Sequence, residues 1–318
     1  MNANAEKPCR ILVIKPSSLG DIIQTVQVVE GFYQQCLKTQ KPIEIHWIVR
    51  DCFAPLLRCS PMISKLFIFQ RYGGLRAFWR LMKEVRTYRY DYVLDFQGLL
   101  RSGLMCLFAK GRYKVGRKDA REGAGLFYRY RFAPRVQGAH AVEILNALLK
   151  IFEADSFPAR PVTFTLTEPL AVLKDIAYVA IFPSSRGPRK EWPYFRAYAE
   201  QLLSKTQLYC VWCGQGRSDN LPKHERFINL MGKTALEELP GLISGAQCVV
   251  ANDSGPLHLA AALCRPLIGI YGPTDSKRYG PYPLDDPKHS VFQASDGNLS
   301  HVSVEEVVDA TMRLVNAK

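Results

Sequence analysis

The stretch ANDSGPLHLAAALCRPLIGIYGPTD, residues 251–275, holds a complete folding unit in miniature. An apolar run from Cys248 to Ala251 ends in Asp253-Ser254-Gly255-Pro256, and an alanine- and leucine-rich segment follows at once. Glycine permits a sharp turn. Proline suits the first position of a helix, where its missing N–H costs nothing. A second apolar run, Leu267 to Tyr271, then closes in the turn Gly272-Pro273-Thr274-Asp275. Strand, turn, helix, strand and turn in that order make a parallel sheet. Its strands read as short unbroken apolar runs because helices cover both faces.

The same alternation runs outward along the chain. Arg10 to Lys15 reads as a strand, and Asp21 to Cys36 has helical spacing, with Ile22, Ile23, Val26, Val29 and Phe32 on one side. Ile43 to Val49 and Tyr92 to Phe96 read as strands, and His140 to Phe152 as a helix. Proline and aspartate break the pattern in Ala154 to Pro161, and Pro169 follows, so a linker is expected between 154 and 175. The alternation restarts with strand Tyr178 to Phe182, helix Pro193 to Leu203, strand Leu208 to Cys213 and helix Ala235 to Ser244. It closes with helix Val304 to Val315. The expected architecture is α/β: two Rossmann-like domains, residues 1–160 and 161–318, with parallel sheets facing a central cleft. The closing helix is a candidate to pack back on the first domain.

Charge separates the halves. The chain carries a formal net charge of +13, and residues 1–160 hold all of it, with 26 Lys+Arg against 13 Asp+Glu. Residues 161–318 balance at 16 against 16, while residues 101–135 alone carry ten basic residues and two acids, Asp119 and Glu122. Such a concentration suits a polyanion: nucleic acid, an anionic membrane surface or a phosphorylated substrate. No run approaches the ~18 apolar residues of a membrane span. The first residues lack a charged-then-apolar leader, so a cytoplasmic location is expected. The nine cysteines are scattered; Cys210 and Cys213 share an apolar run, and no second pair has zinc-site spacing. They read as buried thiols.

Open parallel sheets bind ligands beyond the carboxyl ends of their strands. The candidate loops are therefore Pro16 to Asp21, Pro183 to Lys190, Gly214 to Asp219, Asn252 to Gly255 and Gly272 to Asp275. Unpaired N–H groups and the helix dipole at 253–256 favour an anion, with the Ser254 hydroxyl beside them and His258 one turn on. The loop FPSSRGPRKEWP, residues 182–193, offers Ser184, Ser185, Arg186, Arg189 and Lys190, which suit a diphosphate. GQG at 214–216 lacks both the third glycine and the later acid of a dinucleotide fingerprint. In KPSSLGD, residues 15–21, Asp21 is either a helix cap or a working carboxylate. Together these groups suit sugar transfer from a nucleotide donor. A departing diphosphate needs positive charge rather than an acid, and the attacking hydroxyl needs one base. A helix start weakens an aspartate as a base; proton transfer late in the reaction relaxes that demand.

The segments KPSSLGDIIQT, DYVLDFQGLLRSG, AREGAGLFYRYR, HAVEILNALL, KEWP, LMGKTALEELPGLISGAQCVVANDSGPLHLAAAL and IGIYGPTD carry a likeness over residues 10–318. In this order the chain resembles the bacterial lipopolysaccharide heptosyltransferases of glycosyltransferase family 9, most of all the type that adds the first core heptose. The resemblance implies a GT-B fold and an inverting reaction without metal or cofactor, moving heptose from ADP-heptose to the Kdo of Kdo-lipid A. It makes Asp21 the catalytic base. Ser17, Ser18, Gly20, Arg71 and Arg121 fall to the acceptor side, and Ser184, Ser185, Lys190, Gly214, Thr234, Asp253, Ser254, Gly255 and His258 to the donor side. The implied partners are the nucleotide sugar, an anionic glycolipid and the inner leaflet of the cytoplasmic membrane, held peripherally, with no nucleic acid. The segment 99–114, mixing apolar and basic residues, is a candidate for that membrane contact. Pro16, Ser254 and the long basic run 186–189 depart from the family pattern. Another heptosyl acceptor or nucleotide-sugar donor is the alternative within the family. Outside it stand a nicotinamide-dependent oxidoreductase, for which KPSSLGD has too few glycines, and a nucleic-acid binder, which leaves the serine- and lysine-bearing loops unexplained.

Overall fold

The computed structural model describes residues 7–134, 136–153, 158–168, 170–185, 187–216 and 221–317. Arg186, Asp219, Pro169 and residues 154–157 of the expected linker lie outside the described residues. The chain divides into two units, Met1–Thr165 and Leu166–Lys318.

The first unit runs β1 (Cys9–Ile14), α1 (Leu19–Lys38), β2 (Ile43–Arg50), α2 (Ala54–Arg58), β3 (Ile63–Phe69), α3 (Gly74–Val85), β4 (Tyr90–Asp95), α4 (Leu100–Phe108), β5 (Gly111–Arg117), β6 (Tyr130–Phe132) and α5 (Ala141–Asn146). The six strands form one parallel sheet in the order β3-β2-β1-β4-β5-β6. The segment after α5 tightens into 3₁₀ turns over Ala147–Phe152, which shortens the expected helix. Residues 158–165 belong to this unit. Ala159 donates its N–H to the Gln27 carbonyl at 2.8 Å, and Thr163 donates to the Glu30 carboxylate at 2.9 Å, so the strap is bonded along α1.

The second unit runs β7 (Tyr178–Phe182), α6 (Phe195–Lys205), β8 (Tyr209–Trp212), β9 (Phe227–Asn229), α7 (Leu239–Gly245), β10 (Cys248–Asn252), α8 (Gly255–Ala262), β11 (Leu267–Tyr271), α9 (Ser276–Tyr279), β12 (His289–Gln293) and α10 (Val304–Asn316). Its parallel sheet has the order β12-β11-β10-β7-β8-β9, the same winding as the first. α10 packs within this unit. Its Val307, Val308 and Ala310 are buried in one core with Trp192, Tyr198 and Leu202. Each fully buried aliphatic side chain of this kind contributes about 1.5–3 kcal/mol relative to exposure.

In segment 99–114, α4 buries Ser102, Gly103, Met105 and Cys106 and leaves Leu100 and Leu107 exposed, and the chain then enters the sheet as β5. Helix α3 was not foreseen. Cys210 and Cys213 are buried around β8, and burial pushes the Cys210 thiol up to about 12 and Cys213 higher still, so both behave as apolar packing groups. No helix among the described residues is long and apolar enough to cross a membrane.

Candidate active site

In each sheet the strand order reverses direction once, between β1 and β4 and between β7 and β10. Connections leave such neighbours on opposite faces, which opens a crevice at their carboxyl ends. Most of the sequence-derived residues lie at these two points.

At the first point, Ile14 of β1 pairs with Asp95 of β4. The chain leaves β1 through Lys15, which is only 2% exposed, and its Nζ donates to the Phe96 carbonyl at 3.4 Å. Burial pushes the Lys15 ammonium below its ordinary pKa, Asp21 and Asp95 pull it back up, and Arg117 pushes it down again. Ser18 caps α1. Its N–H and its hydroxyl both donate to Asp21 Oδ2, at 3.0 and 2.6 Å. The capping role open to Asp21 in the sequence is therefore present as geometry. Ser17 donates its N–H to Gln97 Oε1 at 3.3 Å, which ties the Asp21 turn to the turn after β4.

Asp95, fully buried, accepts from the N–H groups of Gln97 and Gly98 at 2.9 and 3.1 Å and from the Tyr128 hydroxyl at 2.7 Å. Burial still holds its carboxyl above the usual carboxylate range, against the hydrogen bonds from Tyr128, Ser102, Gly98 and Gln97 that lower it. Burial also works against the Arg117 charge. Asp119, bonded at 2.7 Å, together with Asp21 and Asp95 keeps its guanidinium above its ordinary value. Arg121 is exposed, and its N–H donates to the Gly98 carbonyl at 2.9 Å. A cavity of about 800 Å³ touches Ser17, Gln97, Arg50, Arg71 and Arg101, so Arg71 and Ser17 share one space. Lys15, Asp95, Gln97, Arg117 and Tyr128 were not singled out in the sequence. The available signal was a charge closing an apolar run, Lys15 after Ile14 and Asp95 after Leu94.

At the second point, Ala251 of β10 pairs with Phe182 of β7. Asn252, buried, bridges the two strand ends: its Nδ2 donates to the Pro183 carbonyl at 2.5 Å, and its Oδ1 accepts from the Trp192 N–H at 3.0 Å. That bridge draws the serine- and lysine-bearing loop against α8. The Ser185 hydroxyl donates to the Asp253 carbonyl at 2.9 Å, and Lys190 Nζ donates to Asp253 Oδ2 at 2.6 Å. The ion pair is half-buried, so its own stabilisation is small, about 0–1 kcal/mol. Ser254 caps α8 with extended backbone, Gly255 and Pro256 start the helix, and His258 is buried one turn on. Ser254 Oγ is buried and makes no hydrogen bond among the described residues. A buried hydroxyl without a partner costs about 1–3 kcal/mol, which a ligand could recover.

Gly214 has φ of +135°, and a Cβ there would approach Met231 Sδ to 3.4 Å and Ser184 Oγ to 3.9 Å, so Ser184 and Gly214 are neighbours. Thr234 is half-buried on the loop between β9 and α7 and shares no hydrogen bond with this cluster among the described residues. Asn252 opened one of the candidate loops in the sequence, but its bridging role was not foreseen.

Residues 78–302 match the family described as glycosyltransferase family 9 (heptosyltransferase). The chain belongs to glycosyltransferase family 9. Relatives of this family 9 chain include lipooligosaccharide heptosyltransferase 2 of Haemophilus influenzae, 30% identical over 92% of the chain and 90% of the relative. Lipopolysaccharide heptosyltransferase 1 of Pseudomonas aeruginosa is also 30% identical, over 86% of the chain and 81% of the relative. Among solved structures, E. coli heptosyltransferase WaaC with ADP superposes with a TM-score of 0.80, 24% identity, and coverage of 96% and 99%. The fold of the family 9 enzyme is accordingly GT-B, as the sequence led one to expect, and the chain is a glycosyltransferase.

Proposed function

We propose that the enzyme moves heptose from ADP-heptose to the Kdo of Kdo-lipid A, with inversion, at the cytoplasmic face of the inner membrane. One observation carries the donor half of this reading: Lys190, Ser185 and Asp253 gather beside the α8 start, where a buried Ser254 hydroxyl has no partner among the described residues. A helix start, a cation and spare hydroxyl donors are what a nucleoside diphosphate needs.

In this reading residues 1–160 serve the acceptor and residues 161–318 the donor. Asp21 takes the proton of the acceptor hydroxyl as that oxygen bonds to the anomeric carbon of heptose. The bond from that carbon to the diphosphate oxygen breaks on the opposite face, and ADP leaves with the pair. Lys190 and the α8 N–H groups stabilise the charge that grows on it. Ser17, Ser18 and Gly20 hold the Asp21 turn. Arg71 and Arg121 meet the carboxylates and phosphates of the acceptor, while Ser184, Gly214, Thr234 and His258 complete the nucleotide side. The basic excess of residues 1–160 supports an anionic acceptor and a peripheral hold on an anionic bilayer.

A second reading, addition of a later core heptose, is supported by the equal identity to a relative named heptosyltransferase 2. Purified enzyme incubated with ADP-heptose and Kdo-lipid A separates them by mass spectrometry. A gain of one heptose is expected; transfer only to an already heptosylated acceptor would favour the second reading.

A further inference from the structure

Helix α3 presents an unusual surface. Leu75 and Trp79, one turn apart, are 78% and 51% exposed, and Tyr72 just before them is exposed as well. The inward residues Leu81, Met82 and Val85 are buried in the first core, while Leu75 and Trp79 form a second, solvent-facing apolar face at the wall of the cavity that Ser17 and Arg71 line. Trp79 is held in place, its ring 4.8 Å from that of Phe108 on α4. Arg76 and Arg80 stand exposed at the flanks, four residues apart, where like charges repel on a helix. Lys83 follows one turn on. Residues 71–83 contain four basic residues and no acid, and residues 100–118 contain six and no acid. The nearest acid on α3, Glu84, is already paired with Lys65 at 3.6 Å.

An exposed apolar crest is unfavourable in water, and like charges one turn apart on a helix repel. An anionic lipid surface relieves both at once, since the rings and leucine enter the acyl boundary while arginines meet headgroups. Another copy of this basic chain would relieve only the first. We propose that α3, with Tyr72, is the element that seats the first unit on an anionic bilayer, Trp79 and Leu75 inserted and Arg76 and Arg80 at headgroup level. This rests on the membrane-facing reading above for its setting, but vesicle binding is measured with no sugar substrate present. Its failure therefore leaves the transferase reading standing, and loss of ADP binding leaves this one standing.

Tryptophan fluorescence provides a site-specific test. Of the four tryptophans, Trp47, Trp192 and Trp212 are buried and only Trp79 is exposed. The full chain is mixed with vesicles of phosphatidylglycerol and phosphatidylcholine whose acyl chains carry bromine, a short-range quencher. The expected result is a blue shift with quenching on phosphatidylglycerol vesicles and neither on pure phosphatidylcholine. Trp79→Phe should bind the same vesicles, judged by co-sedimentation, without the quenching. Arg76→Glu combined with Arg80→Glu should weaken vesicle partition at least tenfold while leaving ADP affinity unchanged, which also reports that the chain is folded. Equal binding to neutral vesicles, no quenching of Trp79, undiminished partition of the charge-reversed variant, or a stable dimer in which Trp79 is shielded would each overturn the proposal.

Discussion

Two strand-turn-helix corners of this molecule share one backbone plan and opposite chemistry. After β1, the helix start carries its own carboxylate: Ser18 gives both its N–H and its hydroxyl to Asp21. After β10, the corresponding serine, Ser254, has a buried hydroxyl with no partner among the described residues, and the neighbouring Asp253 is turned to Lys190. The first corner is satisfied from within and stands over a buried cation, Lys15. The second pairs its carboxylate with Lys190 and leaves the helix-start hydroxyl open. In the proposed function, a single folding unit used twice presents a negative group to one substrate and receives a negative group from another.

The largest break in the comparison should come from Asp21→Asn. A general base is worth about 10²–10⁴-fold in rate, so kcat should fall into that range while ADP affinity by calorimetry stays within about twofold. Retention of most of the turnover would reduce Asp21 to a cap. Next in size is Lys190→Ala. A charge-assisted hydrogen bond contributes about 1.5–3 kcal/mol, so ADP should bind about 10- to 100-fold more weakly. Unchanged affinity would remove Lys190 from the donor site.

The two serines sharpen the contrast at smaller scale. Ser18→Ala should lower the unfolding free energy by about 1 kcal/mol through loss of a helix cap. Ser254→Ala removes a hydroxyl with nothing to bond, so the ligand-free protein should keep its melting temperature or gain slightly. Equal losses in chemical denaturation would mean the corners are alike. The smallest effect concerns Lys15. Its folded pKa lies below the ordinary 10.5, so the unfolded chain binds more protons between the two values. The penalty for burying its charge is full below the folded value and fades as pH climbs toward 10.5. Wild type should therefore gain stability relative to Lys15→Met over that window, read by urea midpoints at stepped pH; a constant gap would show that Lys15 titrates as in water.

Much of this was legible in the chain. Strands β7 and β11 match their apolar runs residue for residue, because a strand covered on both faces carries an unbroken signal. The strand GRYKVGR, β5, gave no such run, since basic residues alternate through it, and β6 and β9 are only three residues long. α3 was hidden because arginines interrupt its apolar residues and two of those, Leu75 and Trp79, face outward. At the site, turn chemistry announced Asp21, Ser254 and Lys190. Lys15 and Asp95 did not stand out, because their burial arises only when strands 81 residues apart pair. The bridging role of Asn252 was silent for the same reason: its bridge to Pro183 exists only once β7 and β10 lie side by side.

The central claim, that one corner is filled by the protein and the other is kept for a phosphate, is tested most directly by calorimetric titration of ADP into Ser254→Asp. That change supplies the α8 start with its own carboxylate, as Asp21 does for α1. ADP affinity should fall at least about 100-fold while the ligand-free protein melts no lower, since a like charge would meet the diphosphate at close range. Binding within twofold of wild type would contradict the account.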